Sequence, residues 1–292
     1  MLSVLIPTYC YNALPLVETL HRQCLEIGID FEILVFDDGS GSFPEAHAKI
    51  NYLSGCSYRN LPKNIGRSKI RNLLARSASH DHLLFLDADV MPVSANFIRE
   101  YCKWIDDQPK VVSGGLRYRE ERPGPDKMLR WTYGTLREAV RADVRREKPY
   151  ERLLSSNFLI HRSIMQQVPF EENMPDLRRE DTLFSYCLFQ QHTLVMHIEN
   201  PVYHEGLDSF DDAIRKEHQS LEGLHFMLKR NLLPPAYTRL SAAYDRLGVL
   251  RLRTFTGFLF RLFRKLMLRQ LAGKKPSMLV FDLYRLGYLS TL

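Results

Sequence analysis

The sequence predicts an α/β protein built on a mainly parallel sheet covered by helices, and two patterns predict it. Short apolar runs at residues 3–6, 31–36 and 82–86 each hold three or four consecutive hydrophobic residues, as in strands buried on both faces, and lack the alternation of a half-exposed strand. Segments with apolar residues at helical spacing separate them, and each run ends in polar or turn-forming residues.

The elements follow in order. The first run ends at Pro7, and residues 13–27 then carry apolar positions at helical spacing. The second run is closed by Asp37-Asp38-Gly39-Ser40, so the chain opens as β–α–β. A helix over roughly 66–79 and the run 82–86, closed by Asp87-Ala88-Asp89, continue the alternation. Ligands of such sheets bind beyond the carboxyl ends of the strands. There Pro7-Thr8-Tyr9, Asp37-Asp38 and Asp87-Ala88-Asp89 converge on one edge. Residues 117–152 are dense in Arg and Glu and contain Pro123-Gly124-Pro125, Trp131 and Tyr133; they read either as an insertion over that edge or as a solvated helix laced with ion pairs.

With 292 residues, 45% of them hydrophobic and 25% charged, the chain has material for a large core, which excludes disordered, collagen-like and small disulfide-scaffold classes. Five cysteines, widely spread and without a CxxC pair, fit a reducing compartment. The opening MLSVLIPTY lacks a basic region and meets Pro7, so it reads as a strand and not as a signal peptide. No stretch of about 18 apolar residues occurs, so no transmembrane helix is expected.

The net charge of +6 is unevenly placed. Residues 226–292 hold 13 Lys and Arg against 2 Asp and Glu, whereas residues 1–225 hold 27 against 32. This asymmetry suggests a catalytic domain over 1–225 and a basic helical extension over 226–292.

Two carboxylates one residue apart at a strand end, Asp87 and Asp89, present hard oxygen ligands suited to Mg²⁺ or Mn²⁺, which would neutralise a phosphate-bearing substrate. Asp37-Asp38-Gly39-Ser40 is either a plain turn or a place where a carboxylate accepts hydrogen bonds from a nucleobase or ribose. Arg179-Glu180-Asp181-Thr182 either starts a helix with favourable acidic residues or supplies a general base.

In chain order these segments are Ser3-Val4-Leu5-Ile6-Pro7-Thr8-Tyr9, the run from Glu32 to Ser40, Asn64-Ile65-Gly66-Arg67 with Arg71-Asn72, Phe85-Leu86-Asp87-Ala88-Asp89 and Arg179-Glu180-Asp181-Thr182. Together they resemble the family 2 glycosyltransferases over about residues 1–205. The resemblance implies a GT-A fold, a nucleotide-diphospho-sugar donor (a UDP-sugar foremost), a divalent cation and inversion at the anomeric carbon. It further implies that Pro7, Thr8, Tyr9, Asp37 and Asp38 line the nucleoside pocket, with Asn64 and Gly66 beside them, and that Arg71 approaches the nucleotide or its diphosphate. By the same resemblance Asp87 and Asp89 flank the diphosphate, Asp89 as direct metal ligand, and His204 completes the metal or diphosphate site. Asp181 is then the base, Glu180 an adjacent helper or the alternative base, and Asn157 faces the donor sugar and acceptor. The acceptor implied is a glycan or a lipid-linked hydroxyl in cell-surface polysaccharide synthesis.

Residues 251–269 place Arg261, Lys265 and Arg269 at intervals of four, with Phe255, Phe258, Leu259, Leu262 and Leu266 largely on another face. A basic face beside a Phe/Leu-rich face suits a helix lying on an anionic membrane, although a helix docked on the catalytic domain has the same periodicity. The expected location is therefore cytoplasmic, peripheral at the inner face of the membrane. No nucleic-acid motif accompanies the charge, so no nucleic-acid partner is expected. The competing classes are a nucleotidyltransferase, disfavoured because Pro7-Thr8-Tyr9-Cys10 stands where a glycine-rich phosphate loop belongs, and a non-catalytic nucleotide-sugar-binding or membrane-scaffold protein.

Overall fold

The structure, a computed structural model, describes residues 1–175 and 177–292. The chain forms two compact units. The first comprises residues 1–118, 139–173 and 180–206; the second comprises 119–138, 174–179 and 207–292. The division at residue 225 expected from charge falls inside a helix that belongs wholly to the second unit.

The first unit holds strands β1 (Leu2–Thr8), β2 (Phe31–Asp37), β3 (Cys56–Asn60), β4 (His82–Leu86), β5 (Val90–Pro92), β6 (Val111–Ser113), β7 (Leu116–Arg117), β8 (Asn157–His161), β9 (Val195–His197) and β10 (Val202–His204). Its helices are α1 (Leu14–Ile27), α2 (Pro44–Ile50), α3 (Arg67–Ser77) and α4 (Phe97–Cys102), followed after an excursion into the second unit by α6 (Ala142–Arg146), α7 (Arg162–Gln167) and α8 (Glu180–Gln190). A seven-stranded sheet runs in the order β3-β2-β1-β4-β8-β6-β9. It is parallel through β3, β2, β1 and β4, and only β8 runs against its neighbours. The mainly parallel sheet expected from the apolar runs is thus present.

Successive strand residues point to opposite faces, and both faces are buried. Leu2, Val4, Ile6, Ile33, Val35, Leu84 and Leu86 pack on one side with Leu16, Val17 and Leu20 of α1 and with Phe97, Ile98 and Tyr101 of α4. Leu5, Leu34, Phe36, Leu83, Phe85, Phe158 and Ile160 pack on the other with Ile70 and Leu74 of α3 and Phe184 and Leu188 of α8. Helix α1 ends at Gly28, whose φ of 65° closes the turn that returns the chain to β2.

A second, three-stranded sheet in the order β5-β10-β7 pairs His204 with Val90. This short ladder brings a segment from late in the chain against the residue that follows Asp89.

In the second unit, α5 (Met128–Tyr133), α9 (Phe210–Lys229), α10 (Arg239–Val249), α11 (Arg253–Leu271) and α12 (Met278–Leu289) form an all-helical body. Its core is Leu129, Ile214, Phe260, Leu271, Phe281 and Tyr284. Ser209, Thr238 and Ser277 cap α9, α10 and α12 by accepting backbone N–H bonds. The segment 117–152 does not form a single insertion: residues 119–138 join this helical body and 139–152 the first unit. Tyr133 packs partly buried against this core, edge-on to Phe281 with the Arg285 guanidinium 5.7 Å from its ring centroid.

Candidate active site

The carboxyl ends of β1, β2 and β4 lie side by side, because β1 pairs with both β2 and β4. Thr8 and Asp37 are register partners, and the Asp38 N–H donates to Thr8 O at 2.9 Å. Tyr9 leaves the strand 56% exposed and presents its ring to solvent. Thr8 is buried instead, its hydroxyl donating to Tyr11 O at 2.9 Å, so it shapes the loop. Pro7 is half-buried at the end of β1.

The two carboxylates after β2 are wired into the loop. Asp37 is fully buried; Ser40 N–H and Oγ donate to its two oxygens at 2.9 Å each, and Tyr58 Oη donates at 3.1 Å. Burial, reinforced by the Asp37 charge, pushes the Tyr58 phenol up to about 12. Asp38 accepts from Ile65 N at 2.7 Å and Gly66 N at 3.0 Å, fixing the loop that enters α3. Gly39, at φ 77°, allows these loops to meet, since a Cβ there would lie 2.5 Å from the Lys63 carbonyl carbon. Both carboxylates expected to line a nucleoside pocket thus accept from the loop itself, Asp37 from Ser40 and Tyr58 and Asp38 from Ile65 and Gly66. Asn64 is exposed and accepts from Gly66 N at 3.0 Å.

Arg71 departs from its expected place more sharply. Its buried guanidinium donates from Nη2 to Asp87 Oδ1 and from Nη1 to Glu180 Oε1, both at 2.9 Å, and lies 5.5 Å from the Phe170 ring centroid. Burial works against its charge, but Asp87 and Glu180 outweigh it and hold the group above its ordinary pKa. Arg71 is thus an internal tie between the loop after β4 and the start of α8. Glu180, expected as a helper of the base, is buried in this ion pair and is not presented as a free carboxylate.

Asp181 is the next residue of α8 and is only half-buried. Its Oδ1 accepts from Thr182 N at 2.7 Å, and both acidic residues occupy the first helical turn, where the helix dipole favours an anion.

Asp89 Oδ2 lies 3.6 Å from His204 Nε2. The imidazole stacks on Tyr118, ring centroids 5.5 Å apart, and its Nδ1 is buried without a hydrogen-bond partner. A Cβ on Gly206 would overlap the Asp89 carboxylate, so glycine there makes room for it. Tyr11 faces the same group: burial first, then the charges of Asp89 and Glu205, raises its phenol above the ordinary value. Among the described residues, no cluster of three or more His, Cys, Asp or Glu side chains could hold a metal ion by itself. Of the three expected ligands, Asp89 and His204 come together, while Asp87 turns one oxygen to Arg71. A carboxylate and an imidazole nonetheless fit a hard divalent cation that arrives with a diphosphate, since Mg²⁺ is commonly held by one or two carboxylates plus substrate phosphates.

Asn157 is held inside the fold. It is buried; Tyr101 Oη donates to its Oδ1 at 2.6 Å, and its amide nitrogen donates to Gly115 O at 2.9 Å and Asn200 O at 3.0 Å. It clamps strand ends. Sequence reasoning missed Tyr11, Tyr118, Tyr58 and Gly206. Tyr11 and Gly206 lie within two residues of expected site positions, and that proximity was the available signal. Tyr118 and Tyr58 carried none.

The sequence profile described as glycosyl transferase family 2 matches residues 3–171, more than half of the chain. No curated protein matches it. Among solved structures, the mannosyltransferase PcManGT from Pyrobaculum calidifontis, in complex with GDP-Man and Mn²⁺, is 14% identical with a TM-score of 0.58, over 99% of this chain and 86% of that one. Glucosyl-3-phosphoglycerate synthase from Mycobacterium tuberculosis, with Mg²⁺ and UDP, is 16% identical with a TM-score of 0.52, over 81% of each chain. TarS 1–349 of S. aureus, with UDP-GlcNAc, is 17% identical with a TM-score of 0.51, over 98% of this chain and 90% of that one. These likenesses establish the fold as GT-A. On the profile match the chain belongs to glycosyl transferase family 2 and is a glycosyltransferase.

Proposed function

We propose that this glycosyltransferase takes its sugar from a nucleotide-diphospho-sugar, a UDP-sugar foremost, and passes it with inversion to a hydroxyl of a glycan or lipid-linked acceptor in cell-surface polysaccharide synthesis. The observation that carries the reading is the joining of Asp87 and the base of α8 through Arg71, which holds the carboxylates of the loop after β4 and the acidic helix start in one arrangement. The structural neighbours support the donor class: TarS and the glucosyl-3-phosphoglycerate synthase were solved with UDP-GlcNAc and UDP, PcManGT with GDP-Man.

In this reading exposed Tyr9 and half-buried Pro7 meet the nucleoside. Asp38, Asn64 and Gly66 form the loop beneath it, and Asp37 with Tyr58 keeps that loop in shape. Asp89 and His204 would hold Mg²⁺ or Mn²⁺, which when bound offsets charge on the leaving diphosphate. Asp87 borders the same diphosphate while Arg71 fixes its direction. The Asp181 carboxylate takes the proton from the acceptor hydroxyl as that oxygen attacks the anomeric carbon from the face opposite the diphosphate. Its bond from Thr182 N orients the carboxylate.

The test is Asp181→Asn, assayed for donor affinity and for transfer. Donor affinity within about twofold of wild type with transfer reduced by about a thousandfold or more supports the base assignment. Near-normal turnover refutes it.

A further inference from the structure

The second unit carries an exposed apolar stripe to which the proposed reaction assigns no residue. Helix α11 is docked in the second unit through Gly257, Phe260 and Leu271. The approach to α12 is close: a Cβ on Gly287 would lie 2.7 Å from Phe260, and one on Gly257 2.9 Å from Ser290 O. At 100° per residue, Phe255, Phe258, Leu262 and Leu266 fall on the side opposite this docked face. They are 57%, 60%, 63% and 64% exposed. Val249, Leu250 and Leu252, just before the helix, are exposed as well.

Charge identifies what covers this stripe. Arg261, Lys265 and Arg269, all exposed, form a row four residues apart that starts beside the stripe and drifts about 40° per step to its C-terminal end, and exposed Lys274 and Lys275 follow the helix. Helix α11 contains no acidic residue. A second copy laid symmetrically on the stripe would bring the same cationic row close to itself, which is repulsive. An anionic lipid surface satisfies both features, since the aromatic and aliphatic side chains enter the acyl boundary while the basic row meets phosphate head groups. Among the described residues, no helix is long and apolar enough to cross a membrane.

We propose that α11 docks the protein peripherally on an anionic phospholipid bilayer, lying flat with Phe255, Phe258, Leu262 and Leu266 inserted and Arg261, Lys265 and Arg269 on the head groups. The stripe spans about 16 Å along the helix, so several side chains enter the interface together.

The experiment is co-sedimentation of the full chain with phosphatidylcholine vesicles, plain or with phosphatidylglycerol at about a third of the lipid. Wild type binds the anionic vesicles and not the plain ones. The triple change Arg261→Gln, Lys265→Gln, Arg269→Gln lowers the partition coefficient about a hundredfold, and Phe258→Gln, Leu262→Gln, Leu266→Gln lowers it at least as far. All six side chains are exposed, so circular dichroism of both variants matches wild type. Absence of wild-type binding overturns the proposal, as does unchanged binding by either variant. A dimer that dissociates on the apolar substitutions and never binds vesicles assigns the stripe to a second copy and equally overturns it.

Discussion

Glu180 and Asp87, far apart in the sequence, are held by a single buried guanidinium, that of Arg71, at 2.9 Å each. The contact joins the loop after the fourth strand to the first turn of the helix that carries Asp181. A buried ion pair has little net value against an apolar replacement, but removing one partner strands the other charge. Arg71 therefore acts mainly through alignment.

Arg71→Met leaves the Glu180 carboxylate buried without its partner and lowers stability by about 3–5 kcal/mol in urea unfolding. Removing both charges in Arg71→Met, Glu180→Leu restores a large part of that loss. A single variant within about 1 kcal/mol of wild type contradicts the tie.

Gly206→Ala tests the room made for Asp89. The added methyl collides with the Asp89 carboxylate, which must turn away from His204. The Mn²⁺ concentration for half-maximal transfer rises by about tenfold or more, while the melting temperature changes little because a side-chain end yields easily. Unchanged Mn²⁺ dependence contradicts the proposed site.

A pH dependence follows from His197. Arg145 Nη1 donates to its Nδ1 at 2.8 Å, so Nε2 bears the proton and donates to Pro149 O at 2.9 Å. Burial, then the neighbouring Arg145 and Arg146 charges, takes the imidazole down to about 4. Below about 6.5 the unfolded chain binds a proton that the folded chain refuses. The contribution of His197 is therefore full above pH 6.5, falls as pH drops towards 4 and is gone below it, roughly 3 kcal/mol in all. His47, His82, His218 and His225 are also lowered by burial and push the same way. Urea unfolding of wild type and His197→Gln at pH 7 and 5 isolates the His197 part: wild type loses more stability over that interval. Equal losses contradict the assignment.

The sequence made the strand-end residues legible because apolar runs buried on both faces mark parallel strands, and the residue after each run must emerge at the same sheet edge. The first, second and fourth strands and the positions of Asp37, Asp38, Asp87 and Asp89 followed from that alone. What residue types at strand ends do not reveal is how polar atoms are shared. Asn157 looks like a sugar contact until Tyr101, Gly115 and Asn200 are seen to consume its amide. Arg71 and Glu180 each read as substrate-facing, and only their meeting across the fold shows that they face each other. The break at residue 225 followed charge, whereas compact units follow packing, and Leu221, Leu224 and Met227 form one buried stripe through that position.

The proposed function assigns the carboxylates after the fourth strand to binding a nucleotide-diphospho-sugar together with a divalent cation. The most direct test is titration calorimetry of wild type and Asp89→Ala with UDP- and GDP-sugars, in Mn²⁺ and in EDTA. Wild type is expected to bind donor in Mn²⁺ and to lose that binding in EDTA, and Asp89→Ala to bind donor under neither condition. Wild-type binding that persists unchanged in EDTA, or an Asp89→Ala protein that binds donor as wild type does in Mn²⁺, would contradict it.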